Sequence, residues 1–324
     1  MTLVVRDEAD ILEAHLAYHL EAGVDFVIAT DHRSQDGTTE ILESYERAGV
    51  LQLIRETGEF ASQSAWQTRM ARLAATEHGA DWVVNSDADE FWWPRGTSLK
   101  DVLGTVPAEY GIVRALVRNF APRRSGDDRF SERMTVRLAF SAPINDPATP
   151  FRPVVKVAHR AHPDVLVRDG SHRVFGLPWH RLDSWFPLEI LHFPLRTEAQ
   201  CGRKYRKTWT GWAENVRGDL ARARQASAEG RRDPIWDRVA LDDSDVELGL
   251  ADGSLVSDVR VRDAVRLLRN EGVTTVPTRA ELDTHALEVA VFEETELVRC
   301  QRWADELNAR VARLGRTASA PVSS

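Results

Sequence analysis

Over residues 2–91, short apolar runs alternate with stretches of helical periodicity. Four runs are brief, rich in β-branched residues and bounded by polar or glycine positions, as buried strands are: Thr2-Leu-Val-Val-Arg6, Asp25-Phe-Val-Ile-Ala-Thr30, Val50-Leu-Gln-Leu-Ile54 and Asp81-Trp-Val-Val-Asn-Ser-Asp87. Between them, Ile11, Leu12, Leu16 and Leu20 recur mostly four apart and stop at Gly23. Ile41, Leu42, Tyr45 and Ala48 make a second such face, opened by Asp36 as an N-cap and closed by Gly49. A third helix is expected over residues 60–78. Strands apolar on both faces, separated by helices, predict an α/β fold: a Rossmann-like, mainly parallel sheet with helices on both faces.

After Pro94 the rhythm changes. Ser98 caps a short helix through Leu103, and Gly111–Arg118 reads as a strand followed by a loop rich in Arg, Pro and Asp. Residues 135–140, 154–158, 165–167 and 188–193 are short strand-like pieces, which predicts a mixed or antiparallel half. From residue 196 the pattern is mostly helical, and Thr278-x-x-Glu281 is a capping box for a long helix to about Arg313. The expected organisation is an α/β unit over 1–200, a mostly helical extension over 201–315 and a disordered polar tail over 316–324.

Composition narrows the function classes. The chain has 324 residues, 43% hydrophobic and 28% charged, with a net charge of −8. That balance argues against a nucleic-acid binder with a broad basic face. Cys201 and Cys300 are too far apart for metal or redox spacing. Neither a signal peptide nor a membrane-spanning apolar run is visible, so a cytoplasmic protein is expected, peripheral membrane contact remaining open.

The candidate chemistry centres on Asp87-Ala-Asp89-Glu90, at the exit of the fourth strand. Ligands of open α/β sheets bind outside the carboxyl ends of the strands. Alternation points Asp87 and Asp89 the same way, a hard-oxygen pair suited to Mg²⁺ or Mn²⁺ shared with phosphates. A solvated acidic turn is the plain alternative, and the buried strand before it and the aromatics Phe91, Trp92 and Trp93 after it weigh against that. Trp92 and Trp93 read equally as a sugar-stacking platform or as core. His15 and His19 have helical metal-ligand spacing but lack a third ligand, so they read as structural.

Several segments in order carry a family resemblance: Arg6-Asp7-Glu8, Tyr18-His19, Gly23-Val24, Asp31-x-x-Ser34-x-Asp36-Gly37-Thr38 and Asp87-Ala-Asp89-Glu90-Phe91. Together they resemble family-2-like glycosyltransferases of the GT-A fold, in the subgroup allied to glycosyltransferase family 92. The resemblance is good over about residues 2–93, looser to about 207 and absent beyond. It implies a nucleoside-diphosphate sugar donor, UDP-sugars first, a Mn²⁺ or Mg²⁺ cofactor, an inverting transfer, and a small-molecule or glycan acceptor. By position, Asp89 corresponds to the direct metal ligand, Asp87 to an acid near ribose or metal, and Asp31 to a nucleoside contact. Asp7 and Glu8 correspond to the lining of the nucleoside pocket, and His192 to the histidine that completes the metal site.

Chemistry adds further candidates. Departure of a diphosphate needs cations, and Lys156, Arg203, Lys204 and Lys207 are available. Inversion needs a base, for which Asp169 and His172 in Arg168-Asp-Gly-Ser-His-Arg173 are candidates. The helical region would serve acceptor binding or homodimerisation. Two rival enzymes fit less well. A sugar-phosphate nucleotidyltransferase would need a Gly-rich basic loop where Arg6-Asp7-Glu8 stands, and a haloacid-type phosphohydrolase would need Asp-x-Asp there. A non-catalytic nucleotide-sugar-binding or scaffold protein is the third alternative.

Overall fold

The computed structural model describes residues 1–58, 62–124, 126, 129–139, 155–183, 185–201 and 234–270; the side chains of 169, 234 and 235 are not among the described ones. Met1–Val276 forms one compact unit. A second unit, Pro277–Ser324, falls entirely outside the described residues, together with the long helix and polar tail expected there.

The elements follow the chain as β1 (Thr2–Val5), α1 (Ala9–Glu21), β2 (Val27–His32), α2 (Thr38–Arg47), β3 (Leu51–Glu56), α3 (Gln63–Thr76), β4 (Trp82–Asp87), β5 (Glu90–Pro94), α4 (Leu99–Gly104) and β6 (Tyr110–Asn119). They continue with α5 (Phe130–Arg133), β7 (Val136–Leu138), β8 (Val155–Arg160), β9 (Leu166–Val167), β10 (Val174–Phe175), β11 (His180–Leu182) and β12 (Leu188–His192). Last come α6 (Pro234–Val239), α7 (Asp243–Asp252), β13 (Leu255–Ser257) and α8 (Arg260–Leu268).

Nine of these strands make one sheet in the order β3-β2-β1-β4-β8-β6-β12-β5, with β11 alongside β6. β1, β2, β3 and β4 are mutually parallel, β8 runs against both β4 and β6, β12 is parallel to β6, and β5 runs against β12. One edge of the sheet therefore collects the C-terminal ends of β1–β4, β6 and β12 and the N-terminal ends of β5 and β8. The parallel β1–β4 part is the one expected from strand–helix alternation, and the antiparallel pairings of β8 and β12 fall in the later part where a mixed half was expected.

The period-2 alternation is visible in the core. Leu3, Val5, Val27, Ala29 and Val84 pack beneath α1, α2 and α4, whereas Ile28, Val83 and Val157 pack against Met70, Ala71 and Ala74 of α3. Both sheet faces are thus covered, which is why the strands read as nearly continuous apolar runs. Ser98 caps α4 by accepting from the Asp101 amide at 3.0 Å. The N-cap of α2 is Gly37, in the left-handed region at φ 97°, and not Asp36 as the sequence suggested. Asp36, one residue earlier, accepts from Thr38 N at 3.1 Å and from Ala9 N at 3.1 Å, fastening the starts of both helices.

The aromatic run Phe91-Trp92-Trp93 is interior, at 0%, 0% and 5% exposure. The sugar-platform reading of Trp92 and Trp93 is therefore corrected: pairing with β12 turns the whole segment inward, and Trp93 stacks on Tyr18 with centroids 5.4 Å apart.

Three histidines are sealed in this core: His15, His19 and His159. Burial pushes His15 and His159 down to about 4 and holds His19 well below its ordinary value. With these depressed values the fold keeps its full stability above about pH 6.5, where neither state is charged. That stability is lost as pH falls towards 4, because the unfolded chain takes up the proton first. His159 donates its Nδ1–H to Arg160 O at 2.9 Å, a bond an asparagine amide can mimic. Equilibrium unfolding of His159→Asn between pH 6.5 and 4 should show a slope smaller by roughly 1.4 kcal/mol per pH unit than wild type. Identical slopes would mean His159 is charged in the fold.

Candidate active site

The strand edge described above carries most of the acidic and basic residues singled out from the sequence. At its centre is the tight turn from β4 to β5. Lys156, the second residue of β8, reaches under this turn, 2.6 Å from Asp87 Oδ2 and 2.7 Å from Glu90 Oε2. Lys156 is 4% exposed and Glu90 2%. Burial alone would lower the Lys156 pKa, but the two carboxylates outweigh it and raise it above the ordinary range. Burial pushes Glu90 up to about 7, with the Lys156 ammonium pulling the other way. The Asp87 amide also donates to Glu90 Oε2 at 3.2 Å, so Glu90 closes the turn on itself.

Lys156 was expected at the donor phosphates. It is at the site, but its ammonium faces two carboxylates from below, where it neutralises the turn. Asp87 completes its bonding with Gln63 Nε2, 2.9 Å from Oδ1. Gln63, at the start of α3, is thus part of the site. Gln67, one turn on, is fully buried with neither amide atom hydrogen-bonded to the described protein groups.

Asp89 points elsewhere. Its Oδ2 lies 3.6 Å from His192 Nε2, the last residue of β12. His192 Nδ1 is 2.8 Å from Asn119 Oδ1, at the end of neighbouring β6. Donation from Nδ1–H to that oxygen leaves the Nε2 lone pair facing Asp89. An acid oxygen and an oriented imidazole so close suit one divalent cation, with a third group fixing the ring as metal-ligating histidines require. Among the described residues no group of three His, Cys, Asp or Glu side chains forms a metal cluster. A cation here would draw its remaining ligands from substrate and water.

Beneath the turn, α1 supplies the support. His15 Nε2 lies 3.3 Å from Ser86 Oγ, and His19 accepts from Trp92 N at Nε2 (3.0 Å) while its Nδ1–H donates to His15 O (2.8 Å). These two histidines are therefore structural, as their missing third ligand suggested.

The exits of β1 and β2 form the adjoining wall. Asp31 is 4% exposed, and its carboxylate accepts from Ser34 Oγ at 2.6 Å and Thr39 Oγ1 at 2.5 Å, which shapes the β2–α2 loop. Asp7, with a left-handed φ of 55°, accepts from Gln35 N at 2.8 Å and so ties the β1 exit to that loop. His32 lies beside Trp66 with ring centroids 4.8 Å apart. Glu8 has a different role from the one its position implied. It pairs with the fully buried Arg196, which also grips Asp10 at 2.7 and 2.8 Å. That clamp holds the chain after β12 against the start of α1, and with it the backbone that places His192.

Asp169 opens a single 3-10 turn, Asp169–Ser171, with Gly170 in the left-handed region at φ 69°. His172 follows and donates from Nδ1 to Val155 O at 2.7 Å, next to Lys156. The segment therefore borders the site. Arg203, Lys204 and Lys207 lie outside the described residues.

Asn119 and Arg196 were not assigned from sequence, whereas Gln63 could be read from it either as a donor contact or as part of an exposed helix face. Asn119 could have been found by the signal that found Asp31 and His192, a polar residue at the exit of an apolar strand. Arg196 has no such signal, since its partners Glu8 and Asp10 are remote in sequence.

The Lys156 ion cluster makes a direct prediction. Lys156→Met leaves the buried Glu90 carboxylate facing the half-buried Asp87 without a cation and should lose about 3 kcal/mol in urea unfolding. Adding Glu90→Gln should restore part of the loss. A single-variant loss below about 1 kcal/mol would show that the ammonium does not hold the turn.

Residues 3–139 of this chain match the family described as Glycosyltransferase family 92. No curated protein matches the chain. Among solved structures, S. aureus TarS 1-349 in complex with UDP is similar over 70% of this chain and 71% of that one, at 13% identity and a TM-score of 0.34. S. aureus TarS is similar over 69% and 42%, at 12% identity and a TM-score of 0.34. TarS 1-349 in complex with UDP-GlcNAc is similar over 70% and 72%, at 11% identity and a TM-score of 0.33.

Proposed function

We propose that this chain, a glycosyltransferase related to family 92, transfers a sugar from a nucleoside-diphosphate donor to an acceptor hydroxyl with inversion, using Mn²⁺ or Mg²⁺ held by Asp89 and His192. The observation that carries this reading is the convergence of those two side chains, 3.6 Å apart, from β4–β5 and β12, with Asn119 orienting the imidazole. One hard oxygen and one imidazole nitrogen leave room for diphosphate oxygens; the imidazole departs from an all-oxygen site but is compatible with Mn²⁺. When bound, such a cation stabilises the departing diphosphate as a Lewis acid, contributing several kcal/mol to the transition state.

The chain's own groups divide the remaining tasks. Lys156 absorbs the charge of Asp87 and Glu90, so that the turn does not present three uncompensated acids to an anionic donor. Asp87, held by Gln63 and Lys156, takes the part of the acid near ribose or metal. Asp7, Asp31 and His32 build the wall between the β1 and β2 exits, where the family correspondence puts the nucleoside. His172, with Nδ1 committed to Val155 O, offers Nε2 as the group that takes the acceptor's proton. Asp169 is the alternative base, one turn earlier.

Thermal unfolding with UDP, GDP or dTDP, each with and without Mn²⁺, tests the donor class. One nucleotide should stabilise the protein in a metal-dependent way, by about 2.7 kcal/mol at a hundredfold excess over its dissociation constant. Asp89→Ala and His192→Ala should fold but lose the metal-dependent part. Absence of a shift with any of the three would sink the reading. For the base, His172→Ala should lower turnover by roughly 10²–10⁴-fold without weakening nucleotide binding, as loss of a general base does; unchanged turnover in His172→Ala and Asp169→Asn would place the base elsewhere.

A further inference from the structure

The hairpin β9–β10 is fastened to the body through its inner face. Val165, Val167 and Val174 are buried against the α3 residues Met70, Ala71 and Ala74. Ser64 Oγ donates to Val167 O at 2.6 Å, Thr68 Oγ1 accepts from Val167 N at 2.9 Å, and Arg72 Nε donates to Val165 O at 2.9 Å. Gly176, at φ 75°, follows β10 at the open end of the hairpin, where an added Cβ would meet Asp164 O at 2.4 Å. The hairpin is therefore rigidly seated, and nothing in its seating needs the outer face.

That outer face is unusual in composition. Leu166 and Phe175 are cross-strand partners, 50% and 48% exposed. Arg168 and Arg173 make the next pair, joined by an Arg168 N–H to Arg173 O bond of 3.0 Å, and both are exposed. Like charges directly opposite each other destabilise a two-stranded ladder. Among the described residues neither guanidinium has a carboxylate partner. Arg168 lies over the Phe175 ring, 5.8 Å from its centroid. Leu166 also walls a groove of about 600 Å³ along α3, to which Arg69, Arg72 and Leu73 contribute. An exposed apolar pair beside paired guanidiniums on one hairpin face matches the boundary between lipid headgroups and acyl chains: apolar side chains enter, and arginines bind phosphates. The complementarity is local, because the chain as a whole carries −8.

We propose that the outer face of the β9–β10 hairpin docks on an anionic phospholipid surface. The Asp169–His172 turn joins the two hairpin strands and borders the strand edge through the His172–Val155 bond, so docking brings the site to that surface. This inference does not depend on the donor or metal reading.

The test is sedimentation of the full chain with vesicles of phosphatidylglycerol and phosphatidylcholine, against phosphatidylcholine alone, at low and high salt. Wild type should partition onto the anionic vesicles, less so at high salt. Arg168→Glu with Arg173→Glu should bind at least thirty-fold more weakly, since each basic residue near such a surface contributes close to a factor of five, on the order of 1 kcal/mol. Leu166→Ser with Phe175→Ser should also weaken partitioning by about tenfold or more. Both double variants should keep wild-type melting temperatures and nucleotide-induced shifts, which separates lost docking from lost folding or lost donor binding. No binding by wild type, or equal binding by wild type and the arginine variant, would overturn the proposal. So would a concentration-dependent dimer abolished by Leu166→Ser/Phe175→Ser without any vesicle binding, which would make a second copy the occupant.

Discussion

A protonated lysine buried between two carboxylates underlies the geometry of the site. The β4–β5 turn packs Asp87, Asp89 and Glu90 into four residues at the sheet's edge, two of them nearly sealed from solvent. Uncompensated, those charges would repel each other and drive the turn apart, since a buried charge is tolerated only when paired. Lys156 enters from β8, which runs against β4, and places its ammonium between Asp87 and Glu90. Its antiparallel direction is what makes this reach work: β8 begins where β4 ends. With Asp87 and Glu90 occupied, Asp89 is the acid directed at His192. The division between a charge-compensating pair and a ligand pair is thus built by topology.

A second buried ion network anchors the chain beyond residue 234. Arg260, at the start of α8, binds Glu189 of β12 at 2.5 Å and Asp258 at 2.7 and 3.0 Å. Arg118 of β6 meets the other Glu189 oxygen at 3.0 Å, and Arg137 of β7 meets Asp258 at 3.1 Å. Burial would raise the Glu189 pKa, but Arg260 and Arg118 outweigh it and hold the carboxyl well below its ordinary range. Such a network need not exceed an apolar core in stability. What it does supply is direction: its bonds accept one placement of β13 and α8 on the sheet. Since Glu189 lies three residues before His192, that network and the Arg196 clamp brace β12 from both sides.

Much of the fold was legible because the core is two-sided. Strands covered on both faces must be apolar throughout, and helices lying on them must repeat every three to four residues, so residues 2–91 announced their elements. The acids at strand exits were legible for the same reason: a charged residue after a buried run can only be at an edge. Trp92 and Trp93 show where that logic ends. Their composition suits a binding platform as well as a core, and only the pairing of β5 with β12 decided for the core. Glu8 is a similar case. Its place after β1 suggested a pocket lining, while its actual partner, Arg196, is nearly two hundred residues away in sequence.

The sequence by itself determined the alternating α/β architecture, the strand edge at which chemistry would gather, and the acidic turn as its centre, because periodicity and strand exits are local properties of the chain. Only the tertiary structure decided which acid pairs with which cation. Asp87 and Asp89 are two residues apart and chemically identical, and what separates Lys156 from His192 as their partners is strand order and direction. Those depend on contacts between segments tens of residues apart, which no local pattern encodes. The Asp-Ala-Asp turn therefore stands as two half-sites: one compensated from within by lysine, the other open towards histidine.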